Sequence, residues 1–260
     1  MFLRYCGNLR RRSAAVAGFF ESRMETVALA WASVFALGCL PRLLSPVTPL
    51  AGWSDVAWLI FPYLLIALAP IAGFIVASGS FPRGLLAAQP AIRLSLYGRW
   101  RELGVIEARQ SPLFGPAGFM ASLLIGLLLN VVVRSFEFLV AMPAMGGAAP
   151  LWGDRLFALM AADVIVMNFF YMVCFVMALR SVPLFPRMLL LAWGLDIAMQ
   201  LFIARTILAT AGVPAQVAAP LHGLLEGNIT KVLISAVVWL PYLILSERVN
   251  VTYRRRVAAG

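Results

Sequence analysis

The chain has 260 residues, of which 62% are hydrophobic and only 12% charged, with a mean hydropathy of +0.91. Soluble domains carry about 25% charged residues and about half apolar ones, so this composition excludes an ordinary water-soluble globule and points to a membrane protein. The net charge of +10 would suit a nucleic-acid binder, but the basic residues are dispersed among short segments, and no nucleic-acid partner is expected.

The opening segment, MFLRYCGNLRRRSAAVAGFFESRM, is basic and carries an apolar side made of Phe2, Leu3, Leu9, Val16, Phe19 and Phe20. It lacks the apolar run of about 7–15 residues and the small-residue cleavage site of a secretory signal. It reads as an interfacial helix. An arginine-rich organellar presequence shares this composition, and that alternative stays open.

Six apolar runs follow, over residues 26–44, 56–78, 115–138, 156–179, 188–211 and 229–246. Each approaches the ~20 residues that cross a bilayer. None alternates as a barrel strand does, and hydrocarbon offers no water to an unpaired backbone, so the runs are expected to be helices. The fold class is therefore all-α: a polytopic bundle of six transmembrane helices, some kinked, with short interfacial helices. Residues 1–112 make an N-terminal segment with a two-helix hairpin and a basic loop; residues 113–260 make a four-helix membrane domain with a basic tail.

Ala28, Ala32 and Ala36 on the first span, and Ala69, Gly73 and Ala77 on the second, form small-residue ridges that predict a close hairpin between these two helices. Pro62, Pro70 and Pro241 predict kinks, since each removes a backbone donor. In the loop after the second span, residues 91–110 read as another interfacial helix, with Tyr97 and Trp100 at headgroup depth.

Polarity inside the spans carries the most information, because an ionised side chain at a helix centre costs about 2.5–3.5 kcal/mol on the insertion scale. On the third span Ser122, Gly126, Asn130 and Arg134 recur every four residues and Glu137 follows, a drifting stripe that is expected to avoid lipid, with Arg134 and Glu137 pairing locally. Asp163 and Asn168 lie on the fourth span, Asp196, Gln200 and Arg205 on the fifth, and Glu226 with Lys231 where the sixth begins. Arg134, Asp163, Arg205 and Glu226 are expected at similar depth in the outer half of the bilayer, with Arg205 and Asp196 on opposite sides of their helix. Two readings of the cluster stand: charges that lock the bundle, or a polar cavity that holds a ligand or relays protons.

Sixteen of the 21 basic residues fall in the opening segment, the loop after the second span, the Arg180 to Arg187 turn and the tail. Basic residues are retained on the cytoplasmic side, so both termini are expected in the cytoplasm, and the tail from Ser246 to Arg256 is expected to anchor at the inner face. Membrane lipids, with anionic headgroups at that face, are the expected partners, alongside a membrane-protein partner or a second copy of the chain. Cys6, Cys39 and Cys174 are too dispersed for a metal site, and His222, the sole histidine, is expected in an outer loop. No metal or other cofactor is expected, and no catalytic residue or enzymatic activity is assigned, for no nucleophile–base pair is visible.

The C-terminal part carries Phe185 followed by Pro186, then Glu226, then Trp239, Leu240, Pro241 and Tyr242, then Ser246, Glu247, Arg248 and Val249, and finally Thr252 with Tyr253. Over about residues 113–256 this resembles the bacterial membrane family known as domain of unknown function 2569. The resemblance implies a bacterial inner-membrane protein and transfers no chemistry. Trp239, Tyr242 and Arg248 are expected to act as interface anchors. The leading expectation is an accessory or scaffold subunit of a membrane complex; the alternative is a small-solute or lipid transporter built on the outer polar cluster.

Overall fold

The computed structural model describes residues 2–50, 52–84, 88–90, 98–145 and 149–259, and their side chains except at residues 2–14, 16 and 17. Eight helices and two short strands run in the order α1 (Phe2–Leu44), α2 (Trp53–Ser80), β1 (Trp100–Glu102), α3 (Val105–Gln110), α4 (Phe119–Ala141), α5 (Leu151–Leu179), α6 (Phe185–Leu208), α7 (Ala215–Leu245), α8 (Glu247–Arg254) and β2 (Arg256–Ala258). Six of them, α1 through its Gly18–Leu44 part and α2, α4, α5, α6 and α7, are long and apolar enough to cross a membrane. The all-α membrane bundle read from hydropathy is the observed architecture.

α1 is helical from Phe2 and loses helical dihedrals at Arg23 (φ −119°, ψ 18°). Its part from Gly18 to Leu44 is long and apolar enough to cross a membrane and contains the expected span over residues 26–44. Phe20 meets Phe175 edge-on with ring centroids 5.4 Å apart, which ties the kink to the bundle. The predicted apolar side at Phe2, Leu3, Leu9 and Val16 lies outside the described side chains.

α5 is the central helix. An apolar helix without a polar face buries itself on all sides, and 18 of its 29 residues are buried, including every residue from Tyr171 to Leu179. This overturns the expected α1–α2 ridge packing. The Ala69, Gly73 and Ala77 ridge of α2 faces α5, where a Cβ on Gly73 would sit 2.6 Å from the Phe169 carbonyl oxygen. Ala36 on α1 is exposed. α1 instead presses Gly38 against the Phe136 ring of α4 and reaches α2 through Trp31, whose Nε1 donates to the Ala67 carbonyl at 3.0 Å. Pro62 and Pro70 lie inside α2 and Pro241 inside α7, and the helices continue through them.

Arginines close the helix ends. The last carbonyls of a helix have no partner within it; Arg42 donates to those of Leu139 and Val140 on α4, Arg180 to Ser78 at the end of α2 and to Phe81 just beyond it, and Arg254 to Leu243 on α7. The basic residues that give the chain its charge asymmetry therefore also terminate its helices.

At the arginine-rich end the structure corrects two expectations. Residues 100–102 form no interfacial helix: β1 pairs antiparallel with β2, Trp100 opposite Ala258, and the Arg256 guanidinium lies 5.2 Å from the Trp100 ring. Among the described residues of that stretch only Val105–Gln110 is helical, and residues 91–97, Tyr97 included, lie outside them. The tail is not a simple anchor either. α8 turns back under the bundle because Val249, Val251 and Tyr253 are apolar enough to bury there, with Phe185 stacked near Tyr253 at 5.2 Å and the Tyr253 hydroxyl donating to the Ala178 carbonyl at 2.8 Å.

Buried apolar residues separate into two clusters. One holds Leu123 to Val131 of α4, Met167 to Leu179 of α5 and Phe185 to Trp193 of α6; the other holds Phe138, Phe157 to Val164 and Ile203 on the same three helices. Between them, on each helix, lies a polar layer.

Candidate functional site

The layer is built by three antiparallel neighbours, α4, α5 and α6, each contributing an ionisable side chain near its middle. At about 1.5 Å per residue, Arg134 sits about 22 Å from the start of α4. Arg134 is 8% exposed, Asp163 1% and Asp196 0%. The guanidinium donates through Nη1 to Asp163 at 2.7 Å and through Nη2 to both Asp196 oxygens at 2.5 Å. Its planar fork suits two carboxylates at once.

Further donors complete the layer, as a buried carboxylate requires. Tyr171 donates its hydroxyl to Asp196 at 2.7 Å, and Gln200 its amide to Asp163 at 3.0 Å. Asn168 donates to Ser135 at 2.8 Å, and Ser135 in turn to the Val131 carbonyl. The chain of contacts then leaves the core. Asn228 of α7 donates to the Gln200 carbonyl oxygen at 3.2 Å, and Lys231 reaches Asn228 at 3.5 Å and pairs with Glu137 of α4. One guanidinium meets two carboxylates, so with both ionised the layer holds one negative charge in excess; the Glu137–Lys231 pair is neutral.

The outer members of this chain border a cavity of ≈ 270 Å³ between α4 and α7, onto which Asn130, Arg134, Tyr171, Asn228 and Ser235 also open. Two contacts join α4 to α7 and bound it. One is the Glu137–Lys231 pair; the other is an aromatic cluster in which Phe119 lies 4.7 Å from Trp239 and 4.9 Å from Tyr242. Leu129 and Val133, both exposed on the flank of α4, form part of its wall. A recess with mostly apolar walls and a few polar groups thus opens at the depth of the spanning helices.

The predicted site residues separate into three groups. Arg134, Asp163 and Asp196 come together in the buried layer, while Asn130 and Glu137 line the cavity. Glu137 does not pair with Arg134 as expected, because the two buried aspartates capture the guanidinium and leave Glu137 to Lys231. Arg205 and Glu226 do not join them: Arg205 is exposed on the side of α6 away from Asp196, and Glu226 is exposed beside His222, which is helical rather than in a loop. Four residues of the α4 stripe, Gly126, Asn130, Arg134 and Glu137, line the α4–α7 cavity, while Ser122 lies outside it and is exposed. Trp239 and Tyr242 clamp α7 to α4, and Arg248 donates to the Leu113 carbonyl at 3.2 Å. Tyr171, Gln200 and Asn228 were not among the predicted site residues; Gln200 sits one helical turn from Asp196, and that spacing was the available signal.

Cys39 and Cys174 are free and buried, and no group of three metal-ligating side chains occurs among the described residues. No family model, curated protein or solved structure matches the chain.

Proposed function

We propose that the chain is a non-enzymatic membrane protein that binds a zwitterionic small solute or lipid headgroup in the α4–α7 cavity and carries it between the two faces of the bilayer. The observation that supports this reading is the neutral Glu137–Lys231 pair at the cavity mouth, joined by Asn228 and Gln200 to the buried Arg134 layer. An exposed ion pair at hydrocarbon depth is costly without a polar occupant or partner. A zwitterion exchanges with it without net charge transfer, its anionic part on Lys231 and its cationic part on Glu137. The buried layer serves as the rigid floor, held by charge-assisted hydrogen bonds on every side. The setting we propose is a bacterial inner membrane with both termini cytoplasmic, by the distribution of arginines and the resemblance in the C-terminal string.

The test is exchange in proteoliposomes with two probes, fluorescent phosphatidylcholine and glycine betaine. Movement of either above the protein-free rate, abolished by Lys231→Met with the fold retained, supports the reading. Protein-free rates for both probes overturn it.

A second reading, an accessory or scaffold subunit, has one observation in its favour. Ser122 is exposed on α4 and Gly126, one turn on at the cavity edge, has nothing within 4 Å of an added Cβ, a small-residue pair at the spacing that lets a partner helix approach closely. A stoichiometric partner retained in mild detergent, lost in Gly126→Leu, supports that role.

A further inference from the structure

A second cavity, of ≈ 470 Å³, lies at the arginine-rich end, at the level where α2 and α5 finish. Four different parts of the chain each deliver one arginine to it: Arg83 after α2, Arg109 from α3, Arg180 after α5 and Arg255 after α8. Glu21 is the one carboxylate on its wall. Among the described residues that line it, four arginines face one carboxylate, in a recess whose size is typical of small-ligand sites.

Their hydrogen bonds hold three of these arginines in place without neutralising them. Arg83 donates through Nη2 to the Glu21 carbonyl at 2.5 Å, Arg109 through Nη2 to the Gly84 carbonyl at 3.2 Å, and Arg180 through Nη1 to the carbonyls of Ser78 and Phe81. Each guanidinium carries five N–H donors, so each keeps donors beyond those committed to backbone. Burial, and after it the nearby Arg83 charge, pull Arg180 below its ordinary value, with Glu21 acting against them.

Two helix ends meet at the same recess. Ser181 (φ 55°) follows the last turn of α5 and Arg255 (φ 48°) caps α8, both in the left-handed conformation that closes helices, and both line this cavity. Like charges brought together at one recess are matched by an anion that bridges them. Arginine forks match the geometry of phosphate oxygens, and the position at the helix ends is that of a phosphate in a lipid headgroup.

We propose that the Arg83, Arg109, Arg180 and Arg255 recess binds a phosphate group, supplied by an anionic lipid headgroup or by phosphate in solution. The proposal is independent of the α4–α7 reading, since it uses none of those residues.

The experiment uses the full chain in dodecyl maltoside, which carries no phosphate, and follows thermal unfolding at constant ionic strength. Inorganic phosphate is titrated in one arm and phosphatidic acid in the other. Saturable stabilisation by at least one supports the site, and which arm responds identifies the source. Arg83→Gln with Arg109→Gln is expected to weaken the apparent affinity about tenfold or more, the effect of losing one charge-assisted hydrogen bond. Glu21→Gln is expected to tighten it, and it decides the matter if the arginine variant does not fold. No saturable response in either arm, an unchanged affinity in a folded arginine variant, or no tightening in Glu21→Gln overturns the proposal.

Discussion

Replacing Arg134 with Gln tests how the bundle is held together. Arg134 is 8% exposed and is the one cation bonded to Asp163 and Asp196. Its removal leaves two carboxylates in an apolar interior, where breaking a buried pair costs about 3–5 kcal/mol. Adding the hydrogen bonds leads to a similar figure: a bond to a charged group contributes about 1.5–3 kcal/mol, and one is lost to each aspartate. Asp163→Asn is milder, because Arg134 keeps Asp196 and the layer becomes charge-balanced; about 1.5–3 kcal/mol is the expected loss. Unfolding titrations in detergent of both single variants and the double variant close the cycle. The account predicts a coupling of at least about 1 kcal/mol between the two sites. An Arg134→Gln variant as stable as the parent, or single effects that add within about 0.5 kcal/mol, would refute it.

Gly73→Val should unfold or strongly destabilise the chain, by upward of about 1–3 kcal/mol for an overpacked contact, since the clash is with the Phe169 backbone rather than a movable side chain. Gly126→Ala is its control: nothing lies within 4 Å, and its melting temperature should hold or rise. Tyr253→Phe removes a hydroxyl that donates to the buried Ala178 carbonyl, which keeps the Ser181 N–H, and a loss of about 1 kcal/mol with faster hydrogen exchange at α8 is expected. Lys231→Met together with Glu137→Gln removes the pair without stranding either charge and should change stability by less than about 1 kcal/mol, while removing ligand exchange.

The six helices were legible because the length of an apolar run and the absence of alternation are enough to impose helix in hydrocarbon. The ionisable residues of the buried layer were legible too, since intramembrane charge singles out Arg134, Asp163 and Asp196 without any knowledge of neighbours. Their pairing was not. Which helices touch depends on interlocking surfaces, and the sequence pointed the Ala69, Gly73 and Ala77 ridge at α1 when α5, buried on all sides, takes it. With α5 in the centre, Arg134 meets two aspartates and Glu137 is freed for Lys231. The fold of the tail was hidden for another reason. Its charge suggested solvent, while Val249 and Tyr253, four residues apart on one helical face, carried the weaker signal that it packs back. Arg205 and Glu226 show the converse: polar residues on spanning helices that the structure leaves exposed at their flanks.

The most direct measurement compares single cysteines on α7 in a Cys6→Ser background, where Cys39 and Cys174 are buried. Ser235→Cys lines the α4–α7 cavity, whereas Val237→Cys, two residues on and 73% exposed, faces outward. The thiolate, which forms in water and not in hydrocarbon, attacks a membrane-impermeant thiol reagent. With the chain in a bilayer, Ser235→Cys is predicted to react readily and Val237→Cys to stay unmodified. Equal labelling of both would mean that no lipid surrounds α7, and an inert Ser235→Cys would mean that the polar recess holds no water and admits no solute.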